Sequence, residues 1–142
     1  EDRMELHEVY ARSTRLITDK KLGEWLDLFL PDAIFFLGGA MDAPDMEVKG
    51  HEEIGPWMQQ IMDGEFDHLM GVEKGAKKKY LLTNIMLESD GEGGADGSAY
   101  FCLIIPEWEG GPRLHGTGVY TDKFVKTADG WKIKSRRLDP DA

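Results

Sequence analysis

A chain of 142 residues with 27 Asp and Glu against 17 Lys and Arg has a net charge of −10, which argues against a nucleic-acid partner and against an anionic membrane face. Its 41% hydrophobic and 31% charged content is that of a globular protein large enough to bury a core without covalent staples. Cys102 is the single cysteine, so a reducing, cytoplasmic setting is expected; no apolar run approaches the roughly 20 residues that span a bilayer, and the acidic start is unlike a signal peptide.

The whole chain reads as one domain. Residues 4–17 put Leu6, Val9, Tyr10, Ser13, Leu16 and Ile17 at helical spacing. A second, short helix follows Asp19 with Leu22, Trp25, Leu26, Leu28 and Phe29 on its inner sides, and Pro31 ends it. Ala33 to Leu37 is an apolar run of strand length, broken by Gly38-Gly39. A third helix opens at Gly50, with Ile54, Trp57, Met58, Ile61 and Met62 as its apolar side and two glutamates suiting the positive end of its dipole. Residues 63–78 read as an irregular loop, and the run Lys77-Lys78-Lys79 beside Lys74 as its solvated exit rather than a phosphate patch.

From Tyr80 onward the period is that of strands: Tyr80–Glu88, Ser98–Glu107, Leu114–Lys126 and Trp131–Arg137. Asp90–Gly97 is a hairpin loop, and Asp129-Gly130 is a second hairpin signal. Helices first and a meander of long, curling antiparallel strands last is an α+β arrangement, with the helices closing one face of a curved sheet.

The string Leu16-Ile17-Thr18-Asp19-Lys20-Lys21-Leu22-Gly23-Glu24-Trp25-Leu26-Asp27-Leu28-Phe29, followed by Pro31-Asp32-Ala33, resembles the opening of SnoaL-like proteins, a branch of the nuclear transport factor 2-like superfamily. Tyr80-Leu81-Leu82-Thr83-Asn84-Ile85 resembles that family's central strand, and Tyr120-Thr121-Asp122-Lys123 with Asp129-Gly130-Trp131-Lys132-Ile133 its closing hairpin. The resemblance runs from about residue 5 to 138. It implies a cone: a bent sheet wrapped around three N-terminal helices, with a pocket at the wide end. Two branches of the family are echoed. The Glu-Trp-Leu helix and Leu-Thr-Asn-Ile strand are similar to the β subunits of aromatic-ring-hydroxylating dioxygenases, which support a catalytic partner. The Tyr-Thr-Asp-Lys segment is similar to cofactor-free dehydratases such as scytalone and bile-acid dehydratases. Those use a Tyr/Asp pair on the first helix and a His on the central strand. Here the corresponding positions are Ser13 or Ile17, Thr18 and Tyr80, with Asp19 one residue off, a departure from the dehydratase pattern.

Alternation assigns one face of each strand to the pocket. With Trp131, Ile133, Ser135 and Arg137 turned inward and Lys132, Lys134 and Arg136 outward, the family-matched Tyr80, Asn84 and Tyr120 point inward as well. Tyr80 and Tyr120 are candidate proton donors or oxyanion holders, and Asn84 a candidate for orienting a carbonyl. Asp19 and Asp122 are the alternative general bases, because a buried carboxylate loses solvation and gains basicity. Tyr10, Trp25, Leu82, Met86, Tyr100 and Arg137 are the expected substrate contacts in an apolar cavity, and the seven methionines, at 4, 41, 46, 58, 62, 70 and 86, suit a plastic lining. His7, His51, His68 and His115 have no ligand spacing, so neither metal nor cofactor is expected. The reading is a cofactor-independent lyase, dehydratase or isomerase for a small hydrophobic, aromatic or polycyclic, molecule, with elimination of water or formaldehyde as the fitting reaction. The alternatives are a non-catalytic dioxygenase β-like subunit and a ligand-binding protein. An outer face of Leu81, Ile85, Leu87, Phe101 and Leu103 points to a homo-oligomer, a dimer or trimer.

Overall fold

The computed structural model describes residues 1–39 and 44–141, so Met41 lies outside the described residues. The opening helical pattern becomes α1, Asp2–Thr18, which buries Leu6, Val9, Tyr10, Ser13 and Leu16. Its C-terminus closes as a Schellman turn: the Lys20 amide donates to the Ile17 carbonyl and the Lys21 amide to the Leu16 carbonyl, both at 3.0 Å. That turn needs a left-handed residue, and Lys20 supplies it at φ +57°, at a cost of about 1 kcal/mol relative to glycine. The short α2, Leu22–Leu26, lies against α1 through the Trp25 indole, which donates to the Ser13 carbonyl at 3.0 Å.

This second helix ends sooner than the apolar spacing through Phe29 implies. Phe29 already opens β1, Phe29–Leu37, because the chain pairs with the last strand: the Ile133 amide donates to the Leu28 carbonyl at 2.8 Å. Pro31 therefore does not stop a helix. It sits in the irregular stretch between Phe29 and Ile34, where a residue with no N–H cannot extend the ladder. The short β2, Met46–Lys49, leads into α3, Gly50–Met62, which buries Ile54, Met58 and Met62 as its spacing predicts. A 3₁₀ turn, Asp67–Met70, interrupts the segment read as a loop.

The remaining strands are β3 (Lys79–Ser89), β4 (Gly94–Ile105), β5 (Arg113–Thr127) and β6 (Gly130–Pro140). β4 starts earlier than expected because the Asp90 carboxylate accepts from the amides of Glu92 and Gly94, at 2.7 and 2.9 Å, and closes a tight turn. The six strands form one curved, open sheet in the order β2-β1-β6-β5-β4-β3. It is mixed rather than wholly antiparallel, since β1 runs parallel to β6 and every other pair is antiparallel.

Three irregularities curve the sheet and reset which residues face in. On β3 the register shifts between Thr83 and Met86, with Asn84 left-handed at φ +53°. Between β4 and β5, His115 is the extra residue, because Leu103 faces Gly116 while Ile104 faces Leu114. On β6 the extra residue is Lys134. A regular ladder there would set Lys134 against Lys123 and Ser135 against Asp122. The bulge separates the two lysines and sets Arg136 opposite Asp122.

Strict alternation therefore misassigns several faces. Ile85, Leu87 and Phe101 pack on the core cluster and Leu103 is buried, so of the expected outer apolar residues only Leu81 stays exposed. Met86 and Tyr100, expected inside, are 70% and 56% exposed. The outward apolar band is now Leu81, Met86, Tyr100 and Leu114.

Inside, α1 approaches the sheet so closely that β4 must carry a glycine beneath Tyr10. A Cβ on Gly97 would lie 2.5 Å from the Tyr10 hydroxyl and 2.9 Å from a Phe124 ring carbon. Gly97→Ala should thus cost about 1–3 kcal/mol of stability in urea unfolding. Adding Tyr10→Phe should recover part of that loss, because the closest clash is with the hydroxyl.

Candidate active site

A pocket of about 270 Å³ opens where the ends of α1 and α3 meet the start of β3. Its apolar wall is Ile17, Ile61, Met62, Tyr80 and Pro106. Tyr80 is the first inward residue of β3 and alternates with Leu82, so its ring reaches Phe101 at 6.0 Å between centroids. Phe101 in turn meets Tyr120 edge-on at 5.5 Å. This aromatic file runs from the pocket to the buried centre of the sheet. Burial raises the pKa of the Tyr80 phenol, with Tyr120 and Asp67 adding to the effect, so it remains a protonated hydrogen-bond donor across the neutral range.

At the pocket edge Asp67 is buried and Lys78 nearly so. The Lys78 ammonium donates to Asp67 Oδ1 at 2.8 Å and to the Ala76 carbonyl at 3.0 Å, while the Gly75 amide donates to Asp67 Oδ2 at 2.8 Å. One carboxylate thus folds residues 64–78 back on themselves and presents Lys78 to the pocket. Lys78 is not the solvated loop residue its neighbours suggest. Lys77 is, and pairs with Glu107 at 3.0 Å.

Deeper lies a second ion pair. Arg136 Nε and Nη2 donate to Asp122 Oδ1 and Oδ2 at 2.8 and 3.2 Å, with Asp122 1% and Arg136 2% exposed. The guanidinium stacks 4.3 Å from the Tyr120 ring centroid and 5.6 Å from that of Tyr10. Burial opposes the Arg136 charge, but the charge and hydrogen bonds of Asp122, with Tyr120 and Tyr10 adding, together hold the guanidinium pKa above its ordinary value. The Tyr120 phenol is pushed up to about 12 by burial, with Arg136 opposing the rise and Asp122 adding to it. The Tyr10 hydroxyl is buried beside Asp122 without a hydrogen-bond partner of good geometry, and burial raises its pKa as well.

The structure thus brings Tyr80, Leu82, Tyr120 and Asp122 to one interior, with Tyr10 beneath them. It does not bring the other expected residues there. Asp19 caps α1 outside the pocket lining and lines an adjoining groove with Arg15, Leu81 and, shared with the pocket, Lys79 and Tyr80. Asn84 is exposed within its bulge. Met86 and Tyr100 face outward. Arg137 is half exposed, pairing with Asp139 at 2.7 Å and lying over Phe36, since the Lys134 bulge exchanged its place with Arg136. Trp25 is walled into the core by its bond to Ser13. Asp122 faces inward but is bound by Arg136, so it is not a free base.

Sequence reasoning missed Asp67, Lys78 and Arg136. The first two lie in a segment with no period to read, and the third was placed by a bulge. Among the described residues no group of three or more His, Cys, Asp or Glu is set to hold a metal ion, and no helix is long and apolar enough to cross a membrane.

The chain matches the family described as a SnoaL-like domain over residues 1–137. No curated protein sequence matches it. Among solved structures it is similar to the Aln2 protein of a Streptomyces species, at 20% identity and TM-score 0.79, covering 97% of this chain and 89% of that one. An NTF2-like protein with a cystatin-like fold from Novosphingobium aromaticivorans matches at 18% identity and TM-score 0.78, over 99% of this chain and 82% of that one. The β subunit of the benzoate 1,2-dioxygenase from Burkholderia mallei matches at 15% identity and TM-score 0.74, over 96% and 88%. At these identities the likeness is one of fold.

Removing one partner of the inner pair leaves an uncompensated buried charge. Arg136→Met should cost about 3–5 kcal/mol in urea unfolding, and the double change Asp122→Leu with Arg136→Met should recover most of it.

Proposed function

The chain belongs to the SnoaL-like family, and on that premise we propose that it acts on a small hydrophobic, aromatic molecule held against Tyr80, as a lyase or isomerase working by acid–base chemistry. The observation that carries this reading is the Tyr80 phenol on the wall of an apolar pocket, kept protonated by burial, with the Lys78 ammonium contributing to the same lining. A substrate carbonyl or departing hydroxyl placed between them meets two donors. As the substrate's α-proton passes to solvent water at the pocket mouth, these two donors stabilise the negative charge developing on that oxygen, and a departing hydroxyl leaves as water with the Tyr80 proton, which solvent then restores. Asp67 acts through Lys78, holding its ammonium in position. Tyr120, Arg136 and Asp122 form the rigid floor on which the aromatic file rests.

A second reading, a dioxygenase β-like subunit without chemistry of its own, is supported by one observation: both buried carboxylates, Asp67 and Asp122, are already committed to cations. The two readings part on activity. With a panel of β-hydroxy aryl ketones, dehydration gives a conjugated product followed by ultraviolet absorbance. Turnover by the native chain that falls ~10²-fold in Tyr80→Phe, with the melting temperature little changed, supports the first reading. Absence of turnover across the panel favours the second.

We also propose a homodimer, formed through the outward sheet band of Leu81, Met86, Tyr100 and Leu114, an apolar surface that favours being covered. Light scattering should report twice the chain mass, and Met86→Asp with Tyr100→Asp should return a folded monomer.

A further inference from the structure

We infer that the molecule this pocket takes carries a carboxylate, so that the substrate is a small aromatic acid bound with its ring on the apolar wall and its charge at the lysine rim. The inference rests on the reading that the pocket holds a small hydrophobic molecule, and adds the charge of that molecule.

The first support is the distribution of charge. The chain has ten more acidic than basic side chains, yet the pocket lining contains lysines 20, 77, 78 and 79 and no Asp or Glu. Four other clefts on the surface each include at least one carboxylate, such as Asp2, Glu24, Glu107 and Asp19. An anion approaching this protein is repelled by most of its surface and accepted here. Two of the four lysines are already balanced, Lys77 by Glu107 and Lys78 by Asp67. Lys20 and Lys79 are in no ion pair among the described residues, and even with Asp19 in the adjoining groove beside Lys79 the rim keeps an excess of positive charge.

The second support is independent of charge counting. Lys20 occupies the one left-handed position of the α1 C-terminal turn, where glycine carries no steric penalty and lysine does. The chain holds a cation at the pocket mouth in a strained conformation, and strained residues cluster at binding and active sites. The lysines present point charges and not an arginine fork, which is sufficient to hold the single charge of a carboxylate. The pocket volume is at the small end for ligand sites, which suits a mono- or bicyclic ring.

The test is calorimetric titration of the full chain with 2-naphthoate and with its neutral isostere 2-naphthamide. The naphthoate should bind at least about fivefold more tightly at low ionic strength. That preference should shrink as salt is added and vanish in the double variant Lys20→Gly with Lys79→Gln. Lys20→Gly alone should weaken naphthoate binding while leaving the melting temperature equal or higher, a divergence that a purely structural lysine would not produce. Equal or tighter binding of the amide, or a preference that survives both substitutions, overturns the carboxylate inference and leaves the aromatic pocket standing. Failure of both probes to bind overturns the inference together with the pocket reading beneath it.

Discussion

The ion pair between Asp122 and Arg136 is the constraint around which the interior is arranged. Two charges removed from water repay their desolvation only when their geometry is good and their neighbours are fixed, and here both conditions are met. The pair is bidentate, it joins directly opposed residues of β5 and β6, and the guanidinium is stacked on Tyr120. A shift of β6 by one residue would bury a serine against Asp122 and bring Lys134 against Lys123. The bulge at Lys134 is thus the local cost of a register the rest of the sheet depends on. Tyr10 from α1 and Tyr120 from β5 then pack on the same guanidinium, which couples helix to sheet.

The same arrangement decides where chemistry is possible. The centre of the sheet is filled by aromatic rings and a satisfied pair of charges, with α1 pressed onto Gly97. Beside this filled centre, the pocket opens toward the end of the helices, between Ile17, Met62 and Tyr80. The groups facing it are therefore those brought by chain ends and connections: Lys20 from the turn after α1, Lys78 from the segment folded over by Asp67, and Tyr80 from the first inward position of β3. A rigid sheet supplies the wall, and irregular backbone supplies the polar groups, a division common to binding sites.

Much of this fold was legible in the chain itself. The amphipathic spacings of α1 and α3, the four long strands after Tyr80, the turns at Asp90 and Asp129 and the acidic charge follow from local pattern and composition, because a helix or a half-buried strand needs its apolar residues at fixed intervals. Tyr80 and Tyr120 were placed inward correctly because each lies on a stretch of its strand where alternation is unbroken. What the tertiary structure alone decided is the phase of that alternation beyond each bulge and the partner of each charge. Asn84, Met86 and Arg137 left the interior, and Arg136 entered it, through single extra residues that change no composition and no periodicity within either half of a strand. Asp67 found Lys78 eleven positions on, and β1 found β6 across most of the chain. Such pairings depend on which alternatives bury charge or expose apolar surface in three dimensions, and a linear pattern does not carry that comparison.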